Sequence, residues 1–203
     1  MQLLKNIIFD LGNVLVNVHF DKFKEKILET GVSEETFKTL FYSKELKDQF
    51  ESGSISNKEF LQIIKNKLGI SVPQKKFIEI FSDMFSEIPE MQRFISKIAR
   101  ENKYRLILLS NTNSYHFNYI KRNFPYIKHF NKYALSYKLK MIKPSSLIFD
   151  TVIKRYKLKA SETLFVDDLE ENCAAAGQAG MKTICFKDYK SFKEEFRKIQ
   201  KII

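Results

Sequence analysis

Four short stretches of this sequence carry side chains that could act together. Asp10 interrupts the apolar run IIFDLGNVLV (residues 7–16) and is followed by Gly12-Asn13. Ser110-Asn111-Thr112 follow the run YRLILL, Lys143 stands in MIKPS, and Asp167-Asp168 close the run ETLFV. A carboxylate held rigidly at a strand end can serve as a nucleophile. Two adjacent carboxylates at the end of a buried strand repel each other and persist more comfortably beside a cation. A hydroxyl with adjoining amides and one ammonium complete the set. Each has a plainer reading taken alone. Asp10 could be a turn former, Ser110-Asn111 could cap the next helix as Ser114 also could, and Lys143 could be a solvated loop lysine. The joint reading is favoured because every group falls at the carboxyl end of an apolar run, where open α/β sheets bind ligands.

Those ends require a particular scaffold. Residues 4–9 are continuously apolar enough for a strand buried on both faces. From Pro89 the chain alternates. PEMQRFISKIAREN reads as a helix, YRLILLS as a strand, SYHFNYIKRNF as a helix and KYALSY as a strand. PSSLIFDTVIKRYK is expected to start a helix on Pro144, ETLFVDD to be a strand, and ENCAAAGQAG a small-residue helix. MKTICF and SFKEEFRKIQKII close the chain as strand and helix. Such alternation predicts an α/β fold with a Rossmann-like parallel sheet covered by helices on both faces.

Residues 21–86 break the alternation and read as four short amphipathic helices with no strand among them. One closes on Gly31 and the next opens on Ser33. A third carries the capping-box spacing Ser56-x-x-Glu59 and stops at Gly69, and the fourth opens on Pro73. The expected division is therefore a core of residues 1–17 and 95–203, with residues 18–94 inserted after the first strand as a helical cap. Caps of this kind exclude water from a site and move to admit substrate.

Composition bounds the function. At 203 residues, 44% apolar and 29% charged, the chain has the make-up of a folded globular protein, long enough for one good core and a second small one. No stretch approaches the roughly 20 apolar residues of a membrane span, and the first residues lack a signal-peptide cleavage pattern. Cys173 and Cys185 have neither disulfide-framework nor metal-ligand spacing, so reduced core thiols and a cytoplasmic setting are expected. The net charge of +11 is uneven: Lys97 to Lys143 holds eleven Lys/Arg against the single acid Glu101. That field draws anions, either phosphate esters or nucleic acid, unless it is only a lysine-coated surface. Tyr115, Phe117, Tyr119 and Phe124 are at helical spacing, which suits a core better than a base-stacking platform. Nucleic acid is thus the less favoured partner, and a small phosphorylated molecule the more favoured.

The set IIFDLGNVLV, LLSNTN, MIKPS and FVDDLEENCAAAGQAGM resembles, in order and across the whole core, the haloacid dehalogenase-like hydrolases. The DLGNV form and the run from Asn172 to Met181 look most like the small sugar-phosphate phosphatase branch with a helical cap. The resemblance implies a Mg²⁺-dependent phosphatase that works through an aspartyl phosphate on Asp10. It implies Mg²⁺ ligation by the Asp10 carboxylate, the Gly12 carbonyl and Asp168, with Asp167 direct or through water. It further implies that Ser110, Asn111 and Lys143 bind the phosphoryl group, with Ser110 and Lys143 counted with Asp10 in the catalytic set. A hydrolytic 2-haloacid dehalogenase would use the same aspartate without a metal, which the acidic pair argues against. A non-catalytic anion- or nucleic-acid-binding protein on the same fold is the other alternative.

Gly12 departs from the family pattern. Most of its phosphatases carry a second aspartate there, which protonates the leaving oxygen and then activates water. Glycine keeps the carbonyl and loses the acid. Histidine as a residue type can exchange a proton near neutral pH, which makes His19 one candidate replacement, although a packing or surface role is the more common one for a lone histidine beside Phe20. A substrate whose leaving group needs little protonation, such as a hexose 1-phosphate, is another way out.

Overall fold

The computed structural model describes residues 3–68 and 73–202. Strand β1 (Asn6–Phe9) runs through a turn into β2 (Val16–Val18). Helices α1 (Phe20–Leu28), α2 (Glu34–Phe41), α3 (Lys44–Glu51), α4 (Asn57–Leu68) and α5 (Gln74–Ser82) follow, and β3 (Phe85–Glu87) brings the chain back. Then come α6 (Pro89–Glu101), β4 (Arg105–Ser110), α7 (Ser114–Asn123), β5 (Lys132–Leu135) and the short α8 (Ser136–Leu139). The chain ends with α9 (Ser146–Tyr156), β6 (Thr163–Asp167), α10 (Glu170–Gln178), β7 (Lys182–Cys185) and α11 (Tyr189–Ile202). No described helix is long and apolar enough to cross a membrane.

The five long-range strands pair in parallel in the order β5-β4-β1-β6-β7. Their side chains alternate between two buried layers, as a sheet covered on both faces requires. Ile7 and Phe9 meet Met91 and Ile95 of α6 and Phe192 of α11, whereas Ile8 meets Ile148 and Phe149 of α9 and Ala176 of α10. The central strand has no free edge: Ile8 is in register with Ile107 on one side and Phe165 on the other. This register puts Asp10, Ser110 and Asp167 at the same end of three adjacent strands. The expected fold class is the observed one.

The inserted helices have their own apolar cluster, built around Phe23, Phe37, Phe50, Phe60 and Phe81. Phe50 and Phe60 stack with ring centres 3.8 Å apart. Local signals explain most of the helix ends. Ser33 Oγ accepts from Thr36 N–H at 3.1 Å, and Gly31 takes φ +90° beyond α1. Ser56 and Glu59 form the reciprocal capping box: Glu59 N–H donates to Ser56 Oγ at 3.2 Å, and Ser56 N–H to Glu59 Oε2 at 2.7 Å.

Several elements differ from expectation. Among the described residues the insertion holds five helices rather than four. The extra one, α3, reads KELKDQFE, with only Leu46 and Phe50 to mark an apolar face among charges. Strands β2 and β3 pair antiparallel, Val18 beside Phe85, and form a two-stranded stem through which the chain leaves and re-enters the core. Three residues each are too few to show a period of two. Strand β5 ends at Leu135 because Ser136 opens α8, and α9 begins at Ser146 rather than Pro144. The expected helix stop at Gly69 lies outside the described residues.

Candidate active site

Asp10 follows directly on β1, and its N–H donates to Val166 O at 2.8 Å, continuing the ladder to β6. Its Oδ1 accepts from Lys143 Nζ at 2.7 Å. The same ammonium donates to Asp167 Oδ2 at 2.6 Å and to Leu109 O at 3.2 Å. All three ammonium donors are therefore spent, and Lys143 is 4% exposed. It reaches this point because its backbone is clamped. Asn111 Oδ1 accepts from Lys143 N–H at 2.8 Å, and Asn111 Nδ2 donates to Lys143 O at 2.9 Å. Asn111 thus positions the lysine as a side-chain mimic of a strand partner.

Asp167 is fully buried and both its carboxylate oxygens are engaged. Oδ2 takes the lysine, while Oδ1 accepts from Leu169 N–H at 3.0 Å and from Asn172 Nδ2 at 2.9 Å. Asp168 is half-buried, and its Oδ2 accepts from Asn13 Nδ2 at 3.2 Å. Asn13 adopts φ +53°, and its Oδ1 accepts from Val18 N–H at 3.3 Å. It closes the turn after Asp10 and braces Asp168 together, a left-handed position that asparagine tolerates better than most residues.

Ligand oxygens of Asp10, Asp167 and Asp168 lie within 4.8 Å of one another. Three hard carboxylate donors this close suit a hard divalent cation with oxygen ligands. Asn172, whose Nδ2 donates to Asp167 Oδ1, also carries a buried Oδ1 without a hydrogen-bond partner among the described residues. The residues present therefore fit Mg²⁺. Because the protein already engages both oxygens of Asp167, Asp10 and Asp168 have the freer oxygens, with the half-buried Gly12 between them in sequence.

The charges are strongly coupled. Burial pushes the Asp10 carboxyl up to about 6, with Asp167 adding to the rise and Lys143 opposing it. Burial also raises Asp168, against the Asn13 hydrogen bond. For Lys143, burial favours the neutral amine, but Asp10 and Asp167 outweigh it and keep the ammonium charged. One cation thus sits among three acids, an unbalanced arrangement that a divalent ion would relieve.

The sequence-derived set is largely brought together. Asp10, Lys143, Asp167 and Asp168 form one cluster, with the buried Ser110 at the neighbouring strand end. Neither Ser110 nor Asn111 caps α7. Asn113 does so, its Oδ1 accepting from His116 N–H at 3.1 Å. His19 is exposed, and its Nε2 is 2.6 Å from Ser86 Oγ across the β2–β3 stem, with no bond to the acidic cluster. Of the eleven basic residues from Lys97 to Lys143, only Lys143 enters the cluster. Cys173 and Cys185 are unbridged; Cys173 is buried, whereas Cys185, expected in the core, is only partly buried at the end of the edge strand β7. The bracing roles of Asn13 and Asn172 were not anticipated. Their signals were an asparagine in the turn after the acid, and one in the first turn of the helix after Asp167-Asp168.

The chain is similar over most of its length to known proteins. A D-ribitol-5-phosphate phosphatase of Bacteroides thetaiotaomicron is 27% identical over 188 residues, 89% of this chain and 91% of its own. A HAD family enzyme structure from the same organism superposes with TM-score 0.86 at 32% identity, over 96% of this chain and 99% of that one. A wild-type structure of that kind with magnesium and inorganic phosphate gives TM-score 0.80 at 32% identity, over 92% and 97%. The pattern of the haloacid dehalogenase-like hydrolases matches residues 4–180, and the chain belongs to that family.

Proposed function

We propose that this protein is a Mg²⁺-dependent phosphatase of a small sugar or polyol phosphate, acting through an aspartyl phosphate on Asp10. The observation that carries the reading is the buried Lys143 bridging Asp10 and Asp167, with Asp168 close enough to share an ion. The phosphatase relative and the magnesium–phosphate complex support it. A hydrolytic dehalogenase would have no use for such a concentration of acid beside its nucleophile, which an anionic substrate must approach.

Unaided hydrolysis of a phosphate monoester is among the slowest of biological reactions, so the site must remove on the order of 20 kcal/mol of barrier. In the proposed assignment Asp10, the Gly12 carbonyl and Asp168 hold the ion, with Asp167 behind them. The bound ion would shield Asp10 from its anionic substrate and stabilise charge on the transferring oxygens. Lys143 orients Asp10 and neutralises developing charge, and Ser110 and Asn111 complete the phosphoryl cradle. Rigid strand ends supply the alignment that in-line transfer needs. Residues 18–94 act as the cap over residues 1–17 and 95–203, and the two unbridged thiols suit a cytoplasmic enzyme.

The test is a phosphate-release screen with Mg²⁺ over terminal sugar and polyol phosphates and hexose 1-phosphates, beside Asp10→Asn. Turnover of at least one ester by the parent and none by the variant is expected. Equal activity of the two would remove Asp10 as nucleophile.

A further inference from the structure

Gly12 brings no acid to the reaction, and the turn after α3, which carries an unpartnered carboxyl, docks on the loop after β4. We propose that Glu51, the last residue of α3, is the general acid and base of this enzyme, and that it suits the site to alkyl phosphates; this rests on the phosphatase reading above.

The turn that carries Glu51 is fixed against the core by backbone atoms. Glu51 O accepts from Ser136 Oγ at 2.5 Å, and that hydroxyl also meets Thr112 N at 2.9 Å and Thr112 O at 3.0 Å. Thr112 is two residues beyond Ser110, so Glu51 is tied to the loop that follows the β4 strand end. Gly53 takes φ +67°, and a Cβ there would stand 2.4 Å from Tyr137 O. Its own carbonyl accepts from Lys140 Nζ. No side chain could occupy that contact, so the turn is held close by the absence of one.

The Glu51 carboxyl itself has no hydrogen bond or ion pair among the described residues, although it is only partly exposed. Neighbouring insertion acids are engaged: Asp48 with Lys44 at 2.9 Å, and Glu59 with Ser56. Glu51 also ends a helix, where the partial negative charge of the free carbonyls disfavours a carboxylate. An unpartnered acid in such a place has poor structural justification. The groups acting on it are Lys47 and Asp48 of α3, Asp10 after β1 and Lys143 before α9. Burial dominates, Asp48 and Asp10 add to it, Lys47 and Lys143 oppose it, and the carboxyl is pushed up to about 7. An acid poised near neutral pH can both give and take a proton.

In the first step the Asp10 carboxylate forms a bond to phosphorus as the ester P–O bond breaks, and the Glu51 carboxyl proton passes to the leaving oxygen to give the alcohol. In the second, water bonds to phosphorus and gives one proton to the Glu51 carboxylate as the P–O bond to Asp10 breaks. Inorganic phosphate leaves, Asp10 is again a carboxylate, and Glu51 is again protonated.

Glu51→Gln keeps the shape and removes the proton. The probes are D-ribitol 5-phosphate, whose alkoxide leaving group needs that proton, and 4-nitrophenyl phosphate, whose phenolate does not. The expected loss in kcat/KM is about 10²-fold or more on the ribitol ester, and far smaller on the nitrophenyl ester. On the latter the variant releases a burst of one nitrophenolate per site, then slows as aspartyl phosphate accumulates. The fall of kcat/KM with rising pH on the ribitol ester disappears in Glu51→Gln and persists in Glu51→Asp. Equal losses on both esters, or no loss on the ribitol ester, would overturn the proposal. Asp10→Asn separates the two readings: if it still cleaves the nitrophenyl ester as the parent does, the aspartyl-phosphate route through Asp10 fails whatever Glu51 does.

Discussion

Replacing Lys143 with methionine tests the electrostatic design of the site directly. Methionine matches the length of the stem and leaves three acceptors, Asp10 Oδ1, Asp167 Oδ2 and Leu109 O, without their donor. The two carboxylates then face each other within 4.8 Å. At an effective dielectric constant near 20, two unit charges at that separation repel by about 3 kcal/mol. Breaking a buried pair by removing one partner costs about 3–5 kcal/mol in general. Both routes give the same size of effect, a large share of the roughly 5–15 kcal/mol that stabilises a domain. For a chain of this length the thermal midpoint should fall by about 10 °C.

Guanidinium unfolding at pH 7.5 without Mg²⁺, followed by circular dichroism, measures it. The pH dependence gives a second check. Without the lysine, the folded pKa of Asp10, already pushed up to about 6, rises further above its unfolded value near about 4. The folded variant then binds more protons than the unfolded chain across that window, so its stability falls as pH rises through it. The gap between variant and parent should accordingly narrow towards acid pH. Asp10→Asn in the variant background removes one of the two charges and should return about 3 kcal/mol. A Lys143→Met protein that unfolds at the parent's denaturant concentration at pH 7.5 would refute the argument.

Other outcomes follow from the same contacts. Gly53→Ala must relieve both φ +67° and a 2.4 Å approach to Tyr137 O, so it should cost about 2 kcal/mol or more in stability and lower kcat/KM by displacing Glu51. Gly31→Ala, at φ +90° with nothing within 4 Å of the new Cβ, should show the strain in a thermal melt and leave kcat/KM alone. Gly12→Asp in the Glu51→Gln background should restore about tenfold or more of ribitol-ester cleavage in the same kinetic assay, because its Cβ meets only the tip of Val18, at 3.2 Å. Because the folded pKa of Glu51 is raised, its charged form opposes folding, and the cost grows as pH rises from about 4.3 through about 7. Glu51→Gln should therefore be more stable than the parent at pH 8 by about 1–2 kcal/mol in a denaturant titration, allowing for solvent screening of a partly exposed group, and the advantage should vanish by pH 4.

Residue order alone determined a good deal about this protein. Apolar runs ending in Asp10, Ser110 and Asp167, separated by amphipathic segments, can bury themselves only as a parallel sheet between helices, and such a sheet brings their carboxyl ends together. Helix boundaries at Ser33, Ser56 and Gly31 were equally legible, because capping is decided within a few residues. The short stem strands β2 and β3 were not, since their pairing joins Val18 to Phe85 across the whole insertion, a long-range contact with no local signature. Helix α3 was hidden because its apolar face is two residues wide and gains its stability from Phe60 and Phe81 rather than from its own pattern. The tertiary structure also decided which acid is free and which is spent: Asp167 is engaged by Lys143 and Asn172, while the Glu51 carboxyl has no hydrogen-bond or ion-pair partner among the described residues. Burial and distance set those differences, and both depend on where the insertion folds back upon the core.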